Sequence, residues 1–192
     1  MKKLSILLVI GSAFFLSATK AQSTCSGVFL TANDFSTGNL YYAYAGKNAS
    51  NAYASNLLTK KRIVINESGS TRQVDKKDIY AVQSCDGKIV RIYKGGYYTL
   101  LNPGEKMPIY MVTINPASKG DVATTKYYFS KNSKSDIRVL TLNNLEAEFP
   151  DFHQFNDAMK AVYKTDKEIF ANLYTDDNFP KASSTYIRSD EK

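Results

Sequence analysis

The spacing of hydrophobic residues divides the chain into three zones. Residues 4–16 form a predominantly apolar run. From about residue 26 to about 140, apolar and aromatic residues occur in short stretches separated by turn-forming residues, which is typical of β-strands. From about 141 to 175, apolar residues recur every three or four positions, which predicts short helices. The pattern therefore indicates a β-rich domain that ends in C-terminal helices.

The first zone has the layout of a secretory signal peptide. Lys2 and Lys3 precede the apolar run, and a small-residue segment ending in Ala21 follows it. The run is too short to cross a membrane as a helix, for which about 20 residues are needed. We predict a signal peptide over residues 1–21 and a mature chain that begins at Gln22, with no transmembrane segment.

In the β zone, two turn signals suggest the register of three neighbouring strands. Asp86-Gly87 and Gly95-Gly96 each separate two β-prone stretches. Two-residue hairpin loops at both sites would place Tyr80 opposite Tyr93 and Tyr93 opposite Tyr98. The three tyrosines would then form a row on one face of the sheet.

The same registers place Arg91 opposite Val82 in the first hairpin and opposite Leu100 in the second. We therefore take Tyr80, Tyr93, Tyr98 and Arg91 as candidate binding residues. Two interpretations remain open. The row is either a structural ladder of cross-strand aromatics or a stacking surface for sugar rings or peptides. The chain has no Trp, the best stacking side chain, which counts against sugar.

Capping residues predict where the helices begin. Thr31 and Asp34 form a capping-box pattern before one helical turn, Thr141 is suited to cap a second helix, and Asp151 a third. Thr165 with Glu168 suggests another capping box for the last helix.

These elements predict a mainly β fold: a meander sheet, or a partly open barrel or sandwich, with short C-terminal α-helices. The alternative is a pleckstrin-homology-like barrel with a helix against one opening. We expect a single domain over residues 22–175 and a loose polar tail over 176–192.

The net charge of the chain excludes few classes of function. The whole chain carries +7, but three of its 25 basic residues lie in the predicted signal peptide, so the mature charge is about +4. Basic clusters such as 60–62 lie close to acidic residues. A nucleic-acid-binding surface would be less diluted, so no nucleic-acid partner is expected.

The two cysteines, Cys25 and Cys85, both follow the predicted cleavage site. In an oxidising compartment a lone pair is most simply one disulfide, worth about 4 kcal/mol in the chain-entropy model. Two free thiols, or a lipidated Cys25, are the alternatives. Residues 22–24 fit the lipidation pattern poorly.

Recognisable catalytic chemistry is missing from the sequence. His153 is the single histidine, and no motif for metal-dependent hydrolysis, a serine nucleophile or phosphate binding occurs. We therefore expect no catalytic residue, no metal site and no cofactor. A thiol dyad of Cys85 with His153 would compete with the disulfide.

Three stretches, residues 27–43, 100–110 and 127–159, together resemble a family of small secreted proteins of Bacteroidetes-type Gram-negative bacteria. The shared pattern combines a leading "LT, DF, G, L" segment, a Tyr-rich meander and a closing "SDI, LT, NL, FP, H, F" segment. Val139 stands where that pattern carries proline. The resemblance implies export and the same fold, and it implies no activity, cofactor or catalytic residue.

The sequence therefore favours an exported, non-catalytic binding or cell-envelope-associated protein, in the periplasm, at the cell surface or outside the cell. Candidate partners are an envelope component, a peptide or a glycan. A small extracytoplasmic hydrolase without a recognisable motif is the alternative.

Overall fold

A computed structural model describes residues 25–43, 58–67, 70–114 and 122–175. The predicted signal peptide and the predicted tail lie outside the described residues. The strands are β1 Gly27–Phe29, β2 Tyr41–Tyr42, β3 Arg62–Glu67, β4 Ser70–Asp75, β5 Ala81–Gln83, β6 Ile89–Tyr93, β7 Gly96–Leu100, β8 Ile109–Ile114, β9 Thr124–Phe129 and β10 Arg138–Val139. The α-helices are α1 Ala32–Thr37, α2 Leu142–Glu148, α3 Phe152–Thr165 and α4 Lys167–Asn172, and Lys76–Asp78 form one 3-10 turn.

Eight strands form one antiparallel sheet in the order β10-β9-β8-β7-β6-β5-β1-β2. Strands β5 to β10 form a continuous meander in which each strand pairs with the next. The first strand of the chain, β1, pairs with the free side of β5. Strands β3 and β4 form a separate hairpin, which is bridged to the end of β2 through Ala43 and Ile65. The fold is thus mainly β with short helices, as predicted. The sheet is not closed, so the barrel alternative is wrong.

One face of the large sheet carries both apolar clusters of the protein. The register Val90 to Thr99 to Met111 places Val90 and Ile109 on the same face, because side chains alternate along a strand. Around Val90, the β3–β4 hairpin packs its Ile63, Ile65 and Val74. Around Ile109 and Phe129, helices α2 to α4 bury Leu142, Leu145, Phe149, Met159, Val162 and Ile169.

The predicted caps position most of the helices. Thr31 and Asp34 form the capping box of α1, Thr141 caps α2, and Asp151 caps α3 through two backbone N–H groups. The prediction for the last helix is wrong by one residue. Asp166, not Thr165, accepts from the first backbone N–H groups of α4, while Thr165 ends α3.

The predicted register of the first hairpin is wrong by one residue. Ala81, not Val82, lies opposite Arg91. The loop contains three residues, Cys85 to Gly87, because Gly87 takes a left-handed φ of 81° after the turn and Ser84 pairs with Lys88. The Asp86 carboxylate accepts from the backbone N–H of Lys88 at 3.1 Å and holds this wider loop.

The second hairpin turns one residue earlier than predicted, at Lys94 and Gly95, which have φ values of 47° and 79°. Tyr93 therefore lies opposite Gly96 rather than Tyr98. A Cβ on Gly96 would come within 2.8 Å of the Tyr98 ring. Gly96 thus belongs to the strand, where it makes room for that ring.

Cys25 and Cys85 form a disulfide with a Cα–Cα distance of 4.7 Å. It joins the residue ahead of β1 to the loop between β5 and β6. The predicted pairing is therefore present, and neither cysteine is free.

Candidate functional site

The face of the sheet opposite the apolar clusters is centred on a buried arginine. Arg91 is only 5% exposed. Its Nη1 donates to the Tyr110 hydroxyl at 2.9 Å and to Ser130 Oγ at 3.3 Å, and its Nη2 donates to the Ser135 carbonyl at 3.0 Å. The ion pairs of the described residues do not include Arg91. Its charge is therefore stabilised by neutral oxygens.

Three tyrosine rings complete the surroundings of the guanidinium. The Arg91 Cζ lies 4.8 Å from the ring centroid of Tyr80, 5.2 Å from that of Tyr93 and 5.8 Å from that of Tyr110. Such contacts are attractive because the ring faces carry partial negative charge. Arg91 Nε has no hydrogen-bond partner among the described residues. We call Arg91, Tyr80 and Tyr110 the arginine box.

Helix α1 and the segment after β9 cover the arginine box. The Tyr80 hydroxyl donates to the Ser133 carbonyl at 2.6 Å, and the Ser133 hydroxyl lies 2.7 Å from that of Ser36 in α1. The Phe35 ring of α1 packs against Phe29 and Tyr80. Arg91 and Tyr110 are buried and Tyr80 is half-buried. The box serves to hold these segments together.

Beyond the box, the same face becomes partly exposed. The Tyr98 ring contacts those of Tyr93, Tyr110 and Tyr128 at centroid distances of 6.2, 6.3 and 5.2 Å, all with edge-to-face geometry. We call Tyr93, Tyr98 and Tyr128, each partly exposed, the outer tyrosine patch. The Lys94 ammonium lies over Tyr93 and 3.6 Å from the Asp136 carboxylate, so a charged pair borders the patch.

Two tyrosines of this face, Tyr80 and Tyr98, have a raised pKa. Burial, followed by the neighbouring Tyr110, raises the pKa of Tyr80. Burial, followed by Tyr128 and Tyr93, raises the pKa of Tyr98. The polar Tyr93 hydroxyl, followed by Lys94, lowers the pKa of Asp136. Neither Tyr80 nor Tyr98 therefore has the lowered pKa that a tyrosine base or nucleophile needs.

The structure brings the four candidate residues together, although both registers used to predict this are wrong. Arg91 lies directly opposite Tyr98, and Tyr93 shares their face. The Tyr80 carbonyl accepts a hydrogen bond from the Ile92 N–H, so the two residues lie opposite each other. If Tyr80 followed the side-chain alternation of β5, its ring would lie on the same face as Ile92, away from Arg91. It precedes β5, however, where strand alternation does not apply, and its ring turns to Arg91.

Sequence reasoning missed Tyr110, Tyr128 and Ser130 as members of this face. Tyr110 lies opposite Tyr128, so the two rings share the face with Tyr98. The connection between β8 and β9 spans residues 115–123, which is too long for a two-residue turn to fix the strand register. The register of that pair was therefore not available from local sequence.

Other chemistry is sparse in the part of the chain that the structure describes. Within it, no group of three or more His, Cys, Asp or Glu side chains is arranged to hold a metal ion. His153 lies exposed in the first turn of α3, with its ring 5.7 Å from that of Phe152. None of the described helices has the length and apolar character needed to span a membrane.

No protein-family model, curated protein or solved structure matches this chain. The geometry of the sheet and its tyrosine face is thus the basis for any assignment of function.

Proposed function

We propose that the protein is an exported, non-catalytic binding or cell-envelope-associated protein, and that the outer tyrosine patch is its contact surface. The observation that carries the proposal is the division of one sheet face into a box around the buried Arg91 and Tyr110 and a partly exposed group of tyrosines. Tyr93, Tyr98 and Tyr128 offer aromatic surface at fixed positions, combined with the hydroxyl groups of Tyr98 and Tyr128, whereas the Tyr93 hydroxyl is buried. Tyrosine is enriched in protein contact surfaces for this combination.

Export is supported by two independent features. Residues 1–21 have the layout of a signal peptide. Cys25 and Cys85 form a disulfide, which persists in oxidising compartments outside the cytoplasm. We place the protein in the periplasm, at the cell surface or outside the cell.

The chemistry of the patch favours a neutral or weakly charged partner with flat apolar and hydrogen-bonding groups. Neutral phenols donate and accept hydrogen bonds, and their rings stack on peptide groups or sugar rings. Lys94 and Asp136 at the border offset each other's charge. An envelope component, a peptide or a glycan fits these properties.

The alternative, a small hydrolase, has less support. A cleft of about 310 Å³ is lined in part by Asp75 and Asp78. Asp75 is already paired with Arg62 at 2.8 Å. Asp75 is therefore not a free carboxylate, as a general acid or base at this cleft would need to be.

The adjacent residues Tyr97 and Tyr98 provide a matched test of the contact surface. Their side chains lie on opposite faces of β7, and Tyr97 is 41% exposed. Mature protein would be co-sedimented with envelopes isolated from a Gram-negative bacterium. We expect Tyr98→Ala to reduce the bound fraction severalfold and Tyr97→Ala to leave it unchanged. Equal binding of both variants and the wild type would contradict the proposed surface.

Export is tested separately by mass spectrometry of the protein secreted by a Gram-negative host. A mature chain that begins at Gln22 is expected. Retention of residues 1–21, or a lipid on Cys25, would contradict this part of the proposal.

A further inference from the structure

Among the described residues, no strand pairs with the outer edge of β4 in the β3–β4 hairpin. The Lys76 backbone N–H donates to the Lys61 carbonyl at 3.2 Å, which fixes the alternation of the ladder. Residues 70, 72 and 74 therefore bond to β3, whereas Thr71, Gln73 and Asp75 direct their backbone N–H and C=O groups away from it. The structure gives these outward groups no hydrogen-bond partner among the described residues, and residues 70–73 are exposed.

The cleft of about 310 Å³ runs along this edge. Its lining includes Arg72 and Val74, which point to one face of β4, and Gln73 and Asp75, which point to the other. A cleft that touches both faces of a strand lies beside its edge. Leu30, which precedes α1, contributes to the same lining.

The surroundings of the cleft carry an excess of positive charge. Arg62 is paired with Asp75, and Arg72 with Glu67. The charged residues of the cleft lining balance, because the Asp78 carboxylate, which joins no ion pair within the described ranges, also lines it. The excess comes from residues 60–78 as a whole, which hold six basic and three acidic residues, a net charge of +3. Lys61 and Lys77 adjoin the cleft residues Arg62 and Asp78 in sequence, and neither takes part in an ion pair of the described residues. An acidic ligand is therefore electrostatically favoured here.

We propose that the β4 edge binds an extended, acidic segment of another protein, which adds to the hairpin as a third strand. The outward groups of Thr71, Gln73 and Asp75 supply the ladder hydrogen bonds. Carboxylates of the added strand face Lys61 and Lys77. This surface is separate from the outer tyrosine patch, so the inference does not rest on the proposed function.

Gln73 permits a test that spares the existing ladder. Gln73→Pro removes an outward N–H without removing a hydrogen bond to β3, and proline is tolerated on edge strands. Gln73→Thr is the matched control because it keeps the N–H. The probe is a short, blocked, fluorescent peptide that alternates glutamate with valine, and the readout is fluorescence anisotropy. The same peptide with lysine in place of glutamate tests the charge requirement.

We expect saturable binding of the glutamate peptide to the wild type and to Gln73→Thr. Gln73→Pro should bind roughly tenfold more weakly, and binding should fall as salt is raised. A Lys61→Glu and Lys77→Glu double variant, which keeps every backbone group, should also bind more weakly. Amide NMR shifts on titration should be largest at residues 71, 73 and 75.

Three results would overturn the proposal: no binding of the glutamate peptide to the wild type, equal binding of both peptides, or unchanged binding by Gln73→Pro. Circular dichroism shows whether each variant is folded. If Gln73→Pro is unfolded, the Lys61→Glu and Lys77→Glu double variant tests the proposal, and unchanged binding by that variant would contradict it. A wild type that is dimeric in sedimentation, with a monomeric Gln73→Pro, would assign the edge to a second copy of the chain instead.

Discussion

The arginine box and the outer tyrosine patch lie on one sheet face and meet where Tyr98 of the patch contacts Tyr110 of the box, yet their environments differ. In the box, Tyr110 is 1% exposed and Arg91 is 5% exposed. The Tyr110 hydroxyl and the two terminal nitrogens of Arg91 are hydrogen-bonded to segments far away in sequence. In the patch, the rings contact one another and remain partly open to solvent. Similar side chains thus stabilise the fold in one place and remain available for contact in the other.

Deletion of one ring from each region should give the largest difference. Tyr110→Ala removes a fully buried ring and should lower the free energy of unfolding by about 4 kcal/mol. Tyr98→Ala removes a partly exposed ring and should cost only about 1 kcal/mol. Urea melts of both variants measure this, and equal losses would show that the two regions are energetically one.

Removal of the guanidinium should be the next largest effect. Arg91→Ala leaves a cavity, and it leaves the Ser135 carbonyl without its donor. We expect a loss of about 3 kcal/mol. Arg138→Ala is the control, because Arg138 is an exposed residue paired with Glu148, and it should cost under about 1 kcal/mol. If the two arginine variants unfold at the same urea concentration, the box does not stabilise the fold.

Removal of single hydroxyl groups gives a finer comparison. The Tyr80 hydroxyl donates to the Ser133 carbonyl, so Tyr80→Phe should cost about 1 kcal/mol. The Tyr93 hydroxyl lies near Asp136 but makes no hydrogen bond of good geometry. Tyr93→Phe should therefore leave the thermal midpoint nearly unchanged. A larger loss for Tyr93→Phe than for Tyr80→Phe would reverse this assignment.

The smallest effect should be a dependence on alkaline pH. Burial raises the pKa of Tyr80 above the value of about 10 that it has in the unfolded chain. The unfolded state then releases this proton first, so stability is intact below about pH 10 and declines as pH rises further. Urea midpoints between about pH 8 and about pH 11 should fall less steeply for Tyr80→Phe than for the wild type. Parallel declines would show that Tyr80 ionises as easily in the folded state.

Local signals in the sequence predicted the positions of helices and strands more accurately than the register in which the strands pair. The capping residues Thr31, Thr141 and Asp151 act within one helical turn, so their role follows from neighbouring residues alone. Asp86-Gly87 suits a two-residue turn and also the end of a three-residue loop, because both require a glycine with positive φ. Side-chain and disulfide contacts choose the longer loop here.

The residues that surround Arg91 come from distant parts of the chain, so no local sequence pattern identifies them. Arg91 bonds to Ser130 and Ser135, which are 39 and 44 residues away along the chain. Neither serine belongs to a recognisable motif. Tyr80 joined the cluster because its ring turns toward Arg91 ahead of β5, which period-two reasoning does not anticipate.

The Cys25–Cys85 disulfide also determines how the protein carries mechanical load. Tension applied to the chain ahead of Cys25 passes through the sulfur bridge directly into the β5–β6 hairpin. The 59 residues between the two cysteines, which include β1 to β5 and α1, are bypassed. About 200 Å of chain is thereby withheld from extension for as long as the bridge is intact. An anchored or entangled N-terminus would pull on the centre of the large sheet while leaving the open β4 edge in place.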